Sequence, residues 1–177
     1  IVAAPSRTPP SRAGSATTGP VSIAVMPFLD LSEDQDQAYF ADGMSEELMN
    51  LLARIPELHV ASRTSAFSYK GKDVGVAEIA QALKVNHVLE GSVRKAGQRV
   101  RITAQLIDGA TGSHVWAERY DRDLNDIFAL QDEISQAIVK ALRLKLLPEE
   151  KKAIEQRGTT NLEAYNLYLM ARQHYAT

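Results

Sequence analysis

From residue 21 the chain alternates between short apolar runs and helical stripes. Val21-Ser22-Ile23-Ala24-Val25-Met26 is apolar and β-branched and is stopped by Pro27, which predicts a buried strand. The acidic stretch 30–36 reads as a loop. Phe40, Met44, Leu48, Leu51, Leu52 and Ile55 then recur at steps of three and four, one face of a helix ended by Pro56. Gly43 interrupts that stripe. Either the helix restarts there with Asp42 as its cap, or the backbone approaches a neighbour closely.

Residues 58–61 predict a second strand. A polar segment, 62–73, leads to a helix carrying Val76, Ile79, Ala80 and Leu83 on one face, with Asp73 as its cap and Asn86 in a left-handed turn behind it. From His87 the period changes to two. Residues 87–95 and 99–108 read as strands joined across Ala96-Gly97, with Val100, Ile102, Ala104 and Leu106 on one face. Asp108-Gly109-Ala110-Thr111-Gly112 is a second hairpin turn with two glycines available for positive φ. It feeds 113–120, where His114, Trp116, Glu118 and Tyr120 share a face. Ile127, Leu130, Ile134, Ala137, Ile138, Ala141 and Leu142 form a helical stripe starting near Asp126.

The order is β-α-β-α-β-β-β-α. Crossovers mixed with hairpins predict an α/β (α+β) domain, a mixed sheet of about five strands with three packed helices. Its expected span is 21–147. Residues 1–20, with Pro5, Pro9, Pro10 and Pro20 among Ser, Thr, Gly and Ala, read as a flexible linker. Residues 148–177 read as a C-terminal helical extension, broken at Gly158-Thr159-Thr160.

Composition narrows the chemistry. With 20 Lys+Arg against 22 Asp+Glu, the net charge of -2 argues against a nucleic-acid surface. The absence of Cys from the sequence removes disulfides, thiolate metal sites and thiol nucleophiles. No apolar run approaches the ~18 residues of a membrane helix, so a membrane would be met only through a helix outside this chain. The start, Ile1-Val2-Ala3-Ala4-Pro5, lacks both an initiator Met and a leader pattern, and reads as a piece of something longer.

No motif points to catalysis or to a cofactor. An EF-hand register begun at Asp30 puts Gln35 where Gly is needed and Ala41 where the bidentate Glu belongs. Gly71-Lys72 lacks the other elements of a phosphate loop, so Lys70 and Lys72 read as solvated charges. His59, His87, His114 and His174 have no ligand spacing. No Gly-x-Ser-x-Gly elbow accompanies the serines. Arg94, Lys95, Arg99 and Arg101 cluster on one hairpin without interleaved aromatics, as on a solvated strand edge. Trp116, Glu118 and Tyr120 leave two readings open. They pack under a helix with Glu118 and Arg119 paired nearby, or they line a groove for a partner.

Several stretches carry a resemblance. Residues 22–28 and 39–48 (Tyr39-Phe40-Ala41-Asp42-Gly43-Met44-Ser45-Glu46-Glu47-Leu48) are similar to the opening of the TolB amino-terminal-like domain. Val60-Ala61-Ser62-Arg63-Thr64-Ser65, Tyr69-Lys70-Gly71-Lys72, Val88-Leu89-Glu90-Gly91-Ser92-Val93-Arg94, residues 101–108 and residues 116–122 continue it in order. The version resembled is the one fused to tetratricopeptide repeats in bacterial transcriptional regulators and adenylate/guanylate cyclase-like proteins, and residues 164–172 resemble the first repeat helix. The resemblance implies a non-catalytic sensor or protein-interaction module, coupling an input to an effector outside the chain. Part of a cyclase whose catalytic domain lies elsewhere, and a small-ligand-binding domain, are the alternatives. It further implies protein partners and favours the periplasmic side of a bacterial inner membrane over the cytoplasm. Tyr165, Tyr168 and Leu169 add an apolar helical surface, which would pair with another copy of the chain or fold back on the domain.

Overall fold

The computed structural model describes residues 20–33 and 37–144. Strand β1 (Val21–Val25) is followed by a short β2 (Leu29–Asp30), helix α1 (Ala38–Ala53) and β3 (Leu58–Val60). Helices α2 (Arg63–Phe67) and α3 (Val76–Leu83) lead to three ten-residue strands, β4 (His87–Ala96), β5 (Arg99–Asp108) and β6 (His114–Asp123). A single 3-10 turn (Leu124–Asp126) then opens α4 (Ile127–Ala141). The expected extension 148–177, with Tyr165, Tyr168 and Leu169, and the linker up to residue 19 lie outside the described residues.

The sheet runs β3-β1-β4-β5-β6, with β2 added beside β4. β1 is parallel to both β3 and β4, and β2 is parallel to β4, whereas β4-β5-β6 is an antiparallel meander. That mixture is the one predicted, enlarged by one strand and one helix. β2 overlaps, at Asp30, the stretch read as a loop. It forms because Leu29 and Asp30 find Ser92 and Val93 alongside them, a tertiary pairing with no local signal. α2 lies in the segment read as polar, started by the Ser62 side chain accepting from the Ser65 N–H.

Alternation assigns the faces. Leu89 and Val93 of β4, the β5 stripe from Val100 to Leu106, and Tyr120 of β6 are buried on one face. α1 and α4 pack on each other, α1 on β1 and β3, and α4 on β6. The predicted stripe of α1 is buried at every position from Phe40 to Ile55. The helix runs unbroken through a buried Gly43, so Asp42 is not its cap; Gln37 precedes it.

Gly91 supplies room on that face. A Cβ there would lie 2.6 Å from both the Phe28 ring and the Thr103 carbonyl oxygen, so only glycine admits Phe28 beside β4. Two further expectations are corrected. α3 starts after Gly75, not Asp73, and its left-handed terminal residue is Lys84 (φ 56), not Asn86. Asn86 is otherwise engaged: its side chain accepts from the Ser22 N–H. Of the two turn glycines, Gly112 takes positive φ (72), while Gly109 packs where a Cβ would sit 2.5 Å from that of Ala80.

Candidate functional site

Beyond Pro27 the chain leaves the end of β1 and passes along β4 as a strap. Besides the β2–β4 pairing, side chains hold the strap. Asp30 accepts from the N–H of Ser32 (2.9 Å) and of Gln37 (2.8 Å), and the buried Ser32 hydroxyl accepts from the Lys95 N–H. Burial raises the Asp30 pKa, but these hydrogen bonds outweigh it and hold the carboxyl below its usual value. The Phe28 N–H donates to Ser45 Oγ at 2.8 Å, which locks the strap onto α1.

Between this strap, the start of α1 and residues 69–74 lies a cleft of about 760 Å³. Its floor is the second face of the sheet, where Glu90 pairs with Gln105 and Ser92 with Thr103 across β4 and β5. Its walls are apolar at Met26, Phe28, Tyr69, Val74 and Ile79. Four carboxylates line it, Asp30, Asp42, Asp73 and Glu90, against two ammonium groups, Lys70 and Lys72, an excess of two negative charges.

Asp42 is the most constrained of these. Its Oδ2 accepts from Lys70 Nζ at 2.5 Å, while Oδ1 is buried with no hydrogen-bond partner. Such an acceptor carries an uncompensated desolvation cost until a donor reaches it. Lys70, read as solvated, is therefore half of an ion pair joining α1 to the segment beyond α2. A second pair, Arg63 with Glu46, joins α1 to α2 itself one turn along, with the Arg63 guanidinium 4.4 Å over the Phe67 ring. Sequence reasoning missed the cleft because its walls come from four separated segments.

The residues predicted on β6 separate. Trp116 is half-buried against the core, Tyr120 is buried, and Glu118 is exposed. Burial first, then the negative charges of Glu133 and Glu118, push the Tyr120 phenol up to about 12. Arg122 lies 5.5 Å over that ring and reaches Glu133 at 3.2 Å. Glu118 and Arg119 are not paired with each other; as strand neighbours they point to opposite faces. The basic cluster is the exposed end of the β4-β5 hairpin, and Arg101 pairs there with Asp121 at 2.8 Å. Among the described residues no three His, Asp or Glu groups come together as metal ligands, and no helix is long and apolar enough to cross a membrane.

Residues 19–137 match a family described as "HilA/YgeH-like transcriptional regulator, second domain". A relative from Rhizobium meliloti (strain 1021), named "Putative adenylate cyclase 3", is 51% identical over 152 residues. That alignment takes in 86% of this chain and 26% of the relative, so the chain spans about a quarter of that protein's length. Among solved structures, TolB from Acinetobacter baumannii is similar over 70% of this chain and 29% of its own, with a TM-score of 0.52 and 19% identity. Lipoprotein GNA1162 from Neisseria meningitidis is similar over 72% of this chain and 100% of its own, with a TM-score of 0.50 and 22% identity. These two likenesses establish a shared fold.

Proposed function

The chain belongs to the HilA/YgeH-like transcriptional regulator second-domain family, and from that premise we propose that it is a non-catalytic sensor and protein-interaction module of a bacterial signalling protein. It couples an input to an effector domain outside these residues. The observation carrying the sensor role is the cleft, with a buried carboxylate oxygen of Asp42 unpartnered at its wall. Apolar walls over a floor of convergent polar groups are what small-ligand sites have. The acidic excess and the acceptor-rich floor favour a ligand bearing hydrogen-bond donors, an amine or a polyol, over a phosphate.

The test is thermal: binding to the native state alone must raise its melting temperature. A panel of amino acids, polyamines and monosaccharides at millimolar concentration should contain a stabilising class. Glu90→Gln and Thr103→Val should remove that shift while leaving the unliganded melting temperature in place. A panel without effect, set against a full-length protein that still responds to one of these compounds, would move the input elsewhere.

The second reading is favoured by the Rhizobium meliloti relative's name: the domain is part of an adenylate/guanylate cyclase whose catalytic domain lies elsewhere. Cyclic-nucleotide formation should then require segments beyond this chain and respond to substitutions in the cleft. Residues 164–172, as the first helix of a tetratricopeptide-like array, would supply protein contacts. We place the module on the periplasmic side of the inner membrane, with the cytoplasm as the alternative. A reporter fused at Thr177 of the full-length protein decides between the two.

A further inference from the structure

β6 ends the sheet: β5 pairs with one of its edges, and among the described residues no strand pairs with the other. Ten residues of open edge is a template for another strand unless it is covered. Its pattern is unusual. On one face lie Glu118, Tyr120 and Arg122; on the other lie Ala117, Arg119, Asp121 and Asp123.

We propose that β6 pairs antiparallel with β6 of a second copy of this chain, about a two-fold axis through Tyr120. In that register Glu118 stands opposite Arg122 and Arg119 opposite Asp121. Two-fold symmetry repeats each pair, giving four opposite-charge pairs and no like-charge pair. Sliding the axis to Arg119 puts Arg119 against itself; sliding it to Glu118 puts Glu118 against itself. Like charges directly opposite are destabilising and opposite charges stabilising, so the sequence selects the Tyr120 register.

Two structural details agree with it. The irregularity in β5-β6 pairing falls between Leu106 and Ile107, which oppose Trp116 and His114, so Val115 is the extra residue and the strand runs regularly beyond it. The 3-10 turn begins at Leu124. The symmetric register uses residues 117–123, which fit between these two limits. At Asp121 an existing bond is extended, not broken: Arg101 already holds it from the β5 side, so Arg119 of the second copy would meet that carboxylate from the open side. Arg122, which already reaches Glu133 of its own chain, would be shared with Glu118 of the second copy. Arg101, Asp121 and Arg119 of the second copy then form a row of alternating sign across three strands.

The test uses the full chain, 1–177. The light-scattering mass should move from one chain to two as concentration rises. Glu118→Arg, at an exposed position, should raise the dimer dissociation constant by about tenfold or more. Glu118→Arg with Arg122→Glu should restore it, since the reversed charges still face each other. The chain has no Cys, so Arg119→Cys mixed with Asp121→Cys should form a disulfide under mild oxidation, and each variant alone far less. A single-chain mass at every concentration would overturn the proposal. So would a dimer indifferent to Glu118→Arg, as pairing through residues 162–175 would be, or cross-linking of Arg119→Cys to itself. A monomer whose 117–123 amides resist exchange would show the edge covered by its own chain, which also overturns it.

Discussion

Ser22 and Asn86 exchange two hydrogen bonds of 2.9 Å each, the Ser22 N–H to Asn86 Oδ1 and the Asn86 N–H to Ser22 Oγ. They join the first strand to the entry of β4 across 64 residues of chain. The pair fixes where β4 begins against β1, and hence which residues of β4 reach the floor of the cleft. Asn86→Ala removes the partner of a buried N–H, and the expected loss is about 1–3 kcal/mol in urea unfolding. Ser22→Ala with Asn86→Ala should cost less than the sum of the two single changes, because the bonds are shared.

The same Asn86 oxygen lies 2.8 Å from His87 Nδ1. Burial lowers the His87 pKa below 6.5, and the opposing pull of Asp108, its cross-strand partner, is smaller. The folded state therefore binds this proton less readily than the unfolded state. Stability should fall as pH drops below about 6.5, and the slope should cease once pH passes beneath the folded-state pKa. His87→Gln should flatten the change in urea midpoint between pH 7.5 and 5.5. An unchanged slope would assign that pH dependence to other groups.

Tyr120 gives the opposite sign at the alkaline end. Its folded pKa, about 12, stands above the unfolded value of 10.0. The folded state keeps its proton longer, so this contribution is complete below pH 10 and is lost as pH rises from 10 through 12. Tyr120→Phe should be the less alkali-sensitive protein in melting temperatures recorded across that range.

Gly91→Ala should be among the most damaging single-atom changes. The added methyl meets a ring that can turn, but also the Thr103 backbone oxygen, which cannot move without disturbing β5. Overpacking of this kind costs about 1–3 kcal/mol. Phe28→Leu should rescue only part of it, since the contact with the backbone remains. Full rescue, measured by urea unfolding of the double variant, would show that β5 yields.

What the sequence made legible follows from how local each signal is. α1, α4 and β5 carry long apolar stripes or strict alternation, and most of their stripe positions are buried, whereas on β6 Tyr120 alone is. β2 has two residues and depends on β4 for its existence. α2 has a capping serine but buries Ala66 alone, so no stripe announces it. Asn86 suits a left-handed turn by propensity, but its side chain is worth more in the bonds to Ser22, and Lys84 takes the turn instead. The cleft was invisible for a related reason. Lys70 reads as a solvated charge and Asp42 as a helix cap, and only the fold brings them together.

Arg63 and Glu46 close the same seam. Glu46 is nearly buried, at 7% exposure, while Arg63 is 40% exposed and stacked on Phe67. Removing Arg63 takes a guanidinium away from a carboxylate that is largely out of water. A fully buried pair broken this way loses about 3–5 kcal/mol; solvent at Arg63 reduces the expectation for Arg63→Ala to about 2 kcal/mol. Arg63→Lys should recover less than half, because an ammonium keeps the charge but neither the planar fork nor the stack on Phe67. Glu46→Gln in the Arg63→Ala background should restore stability, since a neutral amide is cheaper to bury than a carboxylate. Urea unfolding of the four proteins at pH 7 checks this order. If Glu46→Gln leaves Arg63→Ala no more stable, the loss belongs to the Phe67 contact and not to the buried charge.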